Sequence, residues 1–253
     1  CHSYETYNHF NMKKVYLTGI TGTVAPYIKE AFIKEGYHVD DTHIRINHIK
    51  DIQTLKHYIE QIKPDLIIHA ALGPIESTEM LAAYSNLKNI PFIYISTVSV
   101  YEDNNGGPYH KEDAIHVKNE YGLYKYTSEQ RALMINPNTY IMRLGWQISP
   151  KADTESNNMF QFIKDNTNDQ GIITVSNQFY PSASFLDDTA NAVIDIIKKP
   201  PGLYLVNGNP KYSLYEILHL LKDKFKLHIE IQKDDTFQRN DLMIDHEVTI
   251  QSL

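Results

Sequence analysis

Two runs, LIIHAA (66–71) and PFIYIS (91–96), constrain this chain more than any other feature of it. A strand with one face in water alternates apolar and polar residues. A strand-length run with no such alternation has to be covered on both faces. Val15–Thr18 and TYIMRLG (139–145) read the same way, and a shorter strand is expected at Tyr37–Asp40. Between these runs the periodicity changes to that of a helix. Val24, Ile28, Ala31 and Phe32 share one face before Gly36, and Ile52, Leu55, Ile59 and Ile62 share another between Asp51, a candidate cap, and Pro64. A third helix is expected over about 76–87. Strands alternating with crossover helices give an α/β fold built on a parallel sheet.

After Gly145 the pattern changes. Residues 146–184 read as polar and irregular, with one helix near Asn158–Lys164. The sheet pattern returns over about 186–207, with a helix from Asp187, which with Asp188 should cap it, and a strand in GLYLVNG (202–208). Ser213 and Glu216 then form a capping-box pattern before Leu214, Ile217, Leu218 and Leu221. The expected division is a dinucleotide-type sheet domain over 12–145, returning at about 186–207. A smaller C-terminal lobe is expected from 146–185 and 208–253. Residues 1–11 show no periodicity and no apolar core of a signal peptide, and are read as a leader or tag.

Net charge is −7 with no basic block, which argues against nucleic acid as the main partner. No run of about 18 apolar residues suggests a membrane span, so a cytoplasmic protein is expected. The only cysteine is Cys1, and the 12 histidines form no HxH or HExxH pattern, so no metal site is expected.

LTGITGTVAPY (17–27) sits where a doubly wound, Rossmann-type sheet carries its phosphate loop. Gly19 can make the tight turn out of the strand, and Gly22 lets backbone approach a pyrophosphate. Ala25 is the small residue where helix meets strand. Thr21 belongs to the same turn, and the amides of Thr23 and Val24 would face an anion at the helix N-terminus. Near the ribose end stand Asp40, Asp41, His43 and Arg45. An acid suits a free 2′-hydroxyl and Arg45 a 2′-phosphate, so the residues leave NAD and NADP both open.

Tyr and Lys four residues apart share a helix face, and an ammonium beside a phenol favours phenolate. Two such pairs exist, Tyr84/Lys88 and Tyr121/Lys125. Only the second follows a strand whose carboxyl end, ISTVSVY (95–101), carries the hydroxyls Ser96, Thr97 and Ser99. Carboxyl ends of strands face the ligand crevice in open α/β sheets. Tyr84 is therefore read as packing and Tyr121 with Lys125 as the reactive pair. His69, which ends the LIIHAA strand, is read as lining the cofactor site or as a packed histidine.

TGxxGxxA, HAA, the strand-end Thr and YGxxK come in the order found in extended short-chain dehydrogenase/reductases. PDLIIHAA (64–71), ISTVSVY, PYHKEDA (108–114), EYGLYK (120–125), RLGW (143–146) and NQFYPSASFLDDTANAV (177–193) resemble segments of the dTDP-4-dehydrorhamnose reductase-like group within that family. The resemblance implies an NAD(P)H-dependent reductase of a 4-keto sugar nucleotide. It makes Tyr121 the proton donor, Lys125 the residue that lowers its pKa and contacts ribose, and Thr97 the hydroxyl that holds the carbonyl. It further implies Gly19, Thr21, Gly22, Thr23, Val24, Arg45, His69, Ala70, Ala71, Tyr121 and Lys125 at the cofactor, and Val98 and Trp146 at the sugar. The chain departs from the group's pattern at three places: Val98 replaces an acid, His69 an Asn, and Tyr180 a glycine. Alternatives within the fold are an epimerase, a dehydratase (a reading that Val98 disfavours) and a non-catalytic dinucleotide-binding regulatory subunit. A nucleotide-sugar ligand is the expected partner, with a homodimer as an open expectation.

Overall fold

The computed structural model describes residues 12–101, 106–117 and 119–253. The expected leader 1–11, and Asn104 and Asn105 of the loop before the Tyr121 helix, lie outside the described residues. The first half runs β1 (Lys14–Thr18), α1 (Ala25–Lys34), β2 (His38–Asp40), α2 (Ile49–Ile62), β3 (Leu66–His69), α3 (Ile75–Lys88) and β4 (Phe92–Thr97). A single 3-10 turn at Val98–Tyr101 precedes α4 (Glu120–Ile135), β5 (Thr139–Leu144) and β6 (Trp146–Ile148). Then come α5 (Met159–Asn166), β7 (Ile172–Ser176), β8 (Phe179–Tyr180), β9 (Ala183–Phe185) and α6 (Leu186–Ile196). The chain continues through β10 (Leu203–Val206), α7 (Leu214–Phe225), β11 (Glu230–Asp234) and β12 (Arg239–Asn240).

Six strands form one sheet in the order β10-β5-β4-β3-β1-β2, each pair parallel. The chain steps outward from β1 to β2 and then back across β1 to β3, so strand order reverses at the β1/β3 boundary. That reversal is where an open α/β sheet leaves a crevice at the strands' carboxyl ends.

The unalternating runs are explained by the packing. Val15, Leu17, Leu66, Ile68, Ile93 and Ile95 pack beneath α1 and α6, whereas Tyr16, Ile67 and Phe92 face Leu55, Ile59, Leu81 and Ala132 on the other side. Both faces are buried, so each residue of a run meets core. Local signals then set the helix ends. Asp51 sits in the first turn of α2, where its carboxylate accepts from the backbone N–H of Asn47 and of His48 at 2.8 Å each. Ser213 and Glu216 close a reciprocal capping box on α7. Asp187 and Asp188 do not cap α6. That helix starts a residue earlier, at Leu186, and they lie in its first turn with no side-chain cap bond.

The segment after Gly145 is more ordered than its sequence suggests. Three two-stranded parallel pairings, β6 with β9, β7 with β11 and β8 with β12, surround a separate core of Ile148, Phe160, Ile173, Leu214, Ile217 and Leu221. Residues 240–244 also run beside the segment leading into α4. The Gly107 N–H donates to Asn240 O at 2.7 Å, Tyr109 to Leu242 O at 2.6 Å, and Ile244 to Tyr109 O at 2.8 Å. Among the described residues no helix is long and apolar enough to cross a membrane.

Candidate active site

At the carboxyl end of the sheet lies a cleft of about 740 Å³. One wall is the turn between β1 and α1, from Gly19 and Thr21 through Gly22, Thr23 and Val24 to Ala25. Opposite are Thr97, Val98 and Ser99 from the end of β4, and Tyr121 and Lys125 from α4. Ala70 and Ala71 form its floor after β3, and Trp146, Gln147 and Asn157 approach from the region beyond Gly145. A second cavity, about 160 Å³, shares Gly19, His43 and Ala71 with the first and takes in Arg45 and His69. The sequence-predicted residues are thus brought together in two adjoining cavities, with Arg45 and His69 in the smaller one.

The turn is shaped for close approach of backbone. Gly19 has φ +88°, and a Cβ there would lie 2.8 Å from Ala71 N and 2.9 Å from Ala70 C. The Gly22 N–H closes the turn onto Gly19 O at 2.8 Å. An L side chain at Gly19 would be both strained and obstructed.

Beneath the turn, Thr18 explains the histidine that stands where the resembling family has an amide. Its Oγ1 accepts from the N–H groups of Ala70 and Ala71 at 3.1 Å each and lies 2.7 Å from His69 Nδ1. With both acceptor positions taken, the hydroxyl proton goes to Nδ1, so the neutral imidazole carries its own proton on Nε2. Burial, reinforced by the nearby Lys125 charge, holds His69 down to about 3, so it is neutral.

Lys125 is buried in α4 and donates to Ile95 O at 2.8 Å, with its ammonium 5.0 Å from the centre of the Tyr94 ring. Burial lowers it to about 8, and Glu129 one turn later pulls it back up. The Tyr121 side chain is about half exposed (48%), yet its phenol is raised above its usual value by desolvation against the cleft wall, while the Thr97 hydroxyl pulls the other way. Proximity to Lys125 was expected to depress that phenol. In the structure desolvation of Tyr121 prevails. Thr97 Oγ1 accepts from Ser99 N–H at 3.2 Å, which fixes the hydroxyl at the mouth of β4.

Tyr84 lies away from the cleft, buried against α2, where its hydroxyl reaches Ile59 O at 3.5 Å. Tyr124 has a role its spacing did not reveal. Its hydroxyl donates to Gly73 O at 2.7 Å and accepts from Gly73 N–H at 3.1 Å, clamping α4 to the loop after β3. Beneath Lys125, the buried Glu129 carboxylate accepts from Arg143 Nε at 2.9 Å, Arg143 Nη2 at 2.7 Å and Ser96 Oγ at 2.5 Å. The only advance sign of this anchor is that Glu129 follows Lys125 at helical spacing.

A family described as RmlD substrate binding domain matches residues 75–232, which run from α3 to β11 and include Thr97, Tyr121 and Lys125. The chain belongs to this family. Among curated relatives of this RmlD-family chain is the spore coat polysaccharide biosynthesis protein SpsK of Bacillus subtilis (strain 168). It is 25% identical over 236 residues, covering 87% of this chain and 82% of that protein. The dTDP-4-dehydrorhamnose reductase of Bacillus anthracis str. Ames, solved in complex with NADP, superposes with a TM-score of 0.80 at 19% identity over 95% of each chain. The dTDP-glucose 4,6-dehydratase of the same organism, in complex with NAD, gives 0.72 at 14% identity over 93% of this chain and 88% of that one. A reductase and a dehydratase both superpose, so these likenesses establish the Rossmann-type fold. The chemistry has to be read from the site of the RmlD-family chain itself.

Proposed function

We propose that the protein is an NAD(P)-dependent reductase of a 4-keto sugar nucleotide, with Tyr121 as proton donor. The observation that carries this reading is the shared cleft. Thr97, Tyr121 and Lys125 form one wall, and the glycine turn at the strand-order reversal forms the other. The turn residues fit a nicotinamide dinucleotide, because Gly19 and Gly22 line the cleft without side chains beside the N-terminus of α1, where backbone can approach a pyrophosphate. When bound, that cofactor supplies the hydride.

The chain's own residues do the rest. The Thr97 hydroxyl is placed to hold a carbonyl oxygen. Tyr121, raised by desolvation, is fully protonated near neutral pH and so holds a proton ready for the alkoxide formed on reduction. Lys125, at the same wall, stabilises the phenolate left behind. Among its described residues the cleft carries a lysine and no carboxylate. That balance suits the diphosphate of a nucleotide sugar and offers no acid for dehydration chemistry. The region of β6 to β9, α5, α7, β11 and β12 is read as the substrate lobe, presenting Trp146, Gln147 and Asn157 to the sugar.

The test is a panel of nucleotide-linked keto sugars with NADH and NADPH, read by loss of reduced-nicotinamide absorbance. On the best substrate, Tyr121→Phe is expected to lower turnover by about 10²–10⁴-fold while dinucleotide binding is retained. Full turnover by that variant refutes the proton-donor role. Tight dinucleotide binding with no turnover on any substrate favours the regulatory-subunit reading instead.

A further inference from the structure

We infer that Tyr94 is a positioning residue for Lys125: the face of its buried ring holds the lysine ammonium in its charged form at the cleft wall. This role rests on the reading of Lys125 above as the group that stabilises the Tyr121 phenolate, and it names what keeps that group charged out of water.

Sheet register brings the parts together. Tyr94 of β4 stands opposite His69 of β3, so both side chains leave the same face of the sheet. Alternation along β4 puts Ile93 and Ile95 beneath α1 and α6 and turns Tyr94 toward α4. From α4, the Lys125 side chain comes down onto this strand. Its ammonium donates to Ile95 O at 2.8 Å and lies over the Tyr94 ring, 5.0 Å from the centre. Ring and carbonyl thus belong to consecutive residues. The His69 ring packs against Tyr94 with centres 5.9 Å apart, and Tyr94 is fully buried, so the ring has no room to turn away.

The ammonium needs this second contact. Lys125 is 4% exposed and, among the described residues, has one hydrogen bond and no ion pair. On its own helix Glu129 attracts it, but that carboxylate is bonded to Arg143 and Ser96. Tyr121 and Tyr124 bring only phenols. On β3, His69 is neutral and offers no counter-charge. On β4, burial pushes the Tyr94 phenol far above its ordinary range, so its ring also stays neutral. Burial by itself drives an ammonium toward the uncharged amine. An aromatic face attracts a cation, most strongly where water is excluded, and does little for a neutral amine. Tyr94 therefore favours the charged state in the setting that most opposes it.

Titration of Lys125 by NMR of protein labelled at its lysine side chains, assigned by the signal missing from Lys125→Met, reads the charge without substrate or turnover. Tyr94→Leu removes the ring and keeps the site apolar. It is expected to lower the Lys125 midpoint by about one pH unit, a tenfold shift in its protonation equilibrium. Tyr94→Phe loses only the hydroxyl and should titrate like the parent. Where Tyr94→Leu does not fold, pentafluorophenylalanine at position 94 keeps the ring's shape, withdraws charge from its face and should give the same fall. The sign separates this role from packing. A ring that only kept water out would, once removed, let the ammonium rehydrate, and the midpoint would rise. A rise, an unchanged midpoint without the ring, or an equal fall in Tyr94→Phe would each overturn the inference. On the best keto sugar, the alkaline limb of kcat should fall with the Lys125 midpoint while KM holds. If the midpoint falls but the parent reduces no keto sugar, the reductase reading fails and the hold of Tyr94 on Lys125 stands.

Discussion

Replacing Glu129 by Gln keeps the side chain's shape and removes its charge, which makes it the most informative single change beneath Tyr121 and Lys125. Glu129 and Arg143 are both almost fully buried, at 1% and 5% side-chain exposure, and they face each other through two bonds of 2.7 and 2.9 Å. The Gln amide oxygen can still accept one bond from Arg143, which also keeps its 2.5 Å bond to the Tyr101 hydroxyl, but the guanidinium is left as an uncompensated charge in the core. Breaking one side of a buried pair costs about 3–5 kcal/mol. For a chain of this size that corresponds to a fall in Tm of about 6–20 °C, read by circular dichroism. Glu129 also draws the Lys125 ammonium upward, so its loss should push Lys125 further below about 8 and move any alkaline limb of the activity profile to lower pH. The double variant Glu129→Leu/Arg143→Met removes both charges, and because apolar replacement of a buried pair is often neutral, most of the lost stability should return. If the single variant melts within about 1 kcal/mol of the parent, or the double variant is worse than the single, the assignment of this pair as the anchor of α4 is wrong.

Three further outcomes follow from the geometry. Lys125 is held at about 8 in the folded chain, below its unfolded value, so the cost of burying its charge is fully present below pH 8 and is relieved as pH rises from about 8 to 10.4. Urea midpoints should therefore show the parent gaining on the order of 3 kcal/mol over Lys125→Met between pH 7.5 and 10.5, and a constant difference would refute the burial argument. Gly19→Ala, at φ +88° and facing Ala71 N at 2.8 Å, should cost about 1–3 kcal/mol in a thermal melt and abolish dinucleotide quenching of Trp146; normal binding would remove Gly19 from the cradle. Ser213→Ala, which loses the capping box of α7, should lower stability by about 1 kcal/mol without altering dinucleotide affinity.

The parallel sheet was legible because burial on both faces leaves its mark within each strand. LIIHAA and PFIYIS could be recognised without knowing their neighbours. The strands beyond Gly145, β10 apart, left no such mark. β8 and β12 are two residues each and β6 and β9 three, and β12 pairs with β8 some sixty residues away, Arg239 opposite Phe179. Pairing that short has too few residues to show a period. The same distinction holds at the site. Tyr121 and Lys125 were separable from Tyr84 and Lys88 because only their helix follows a strand whose carboxyl end carries hydroxyls, at Ser96, Thr97 and Ser99. The Thr18–His69 bond, the Tyr124 clamp on Gly73 and the Glu129–Arg143 pair join residues 14 to 51 positions apart, and nothing local announces them. The raised pKa of Tyr121 was not legible for a related reason: spacing shows that an ammonium is near a phenol, but not how far desolvation opposes it.

The pairing of residues 107–109 with 240–244 carries a mechanical consequence. The chain entering α4 is held by backbone bonds to a segment that continues from β12, which itself is paired to β8. A ligand that displaces β8 and β12 therefore pulls on the leader of the helix bearing Tyr121. Displacement of those strands and the position of the helix carrying Tyr121 are coupled through backbone hydrogen bonds, with no side chain needed to carry the signal.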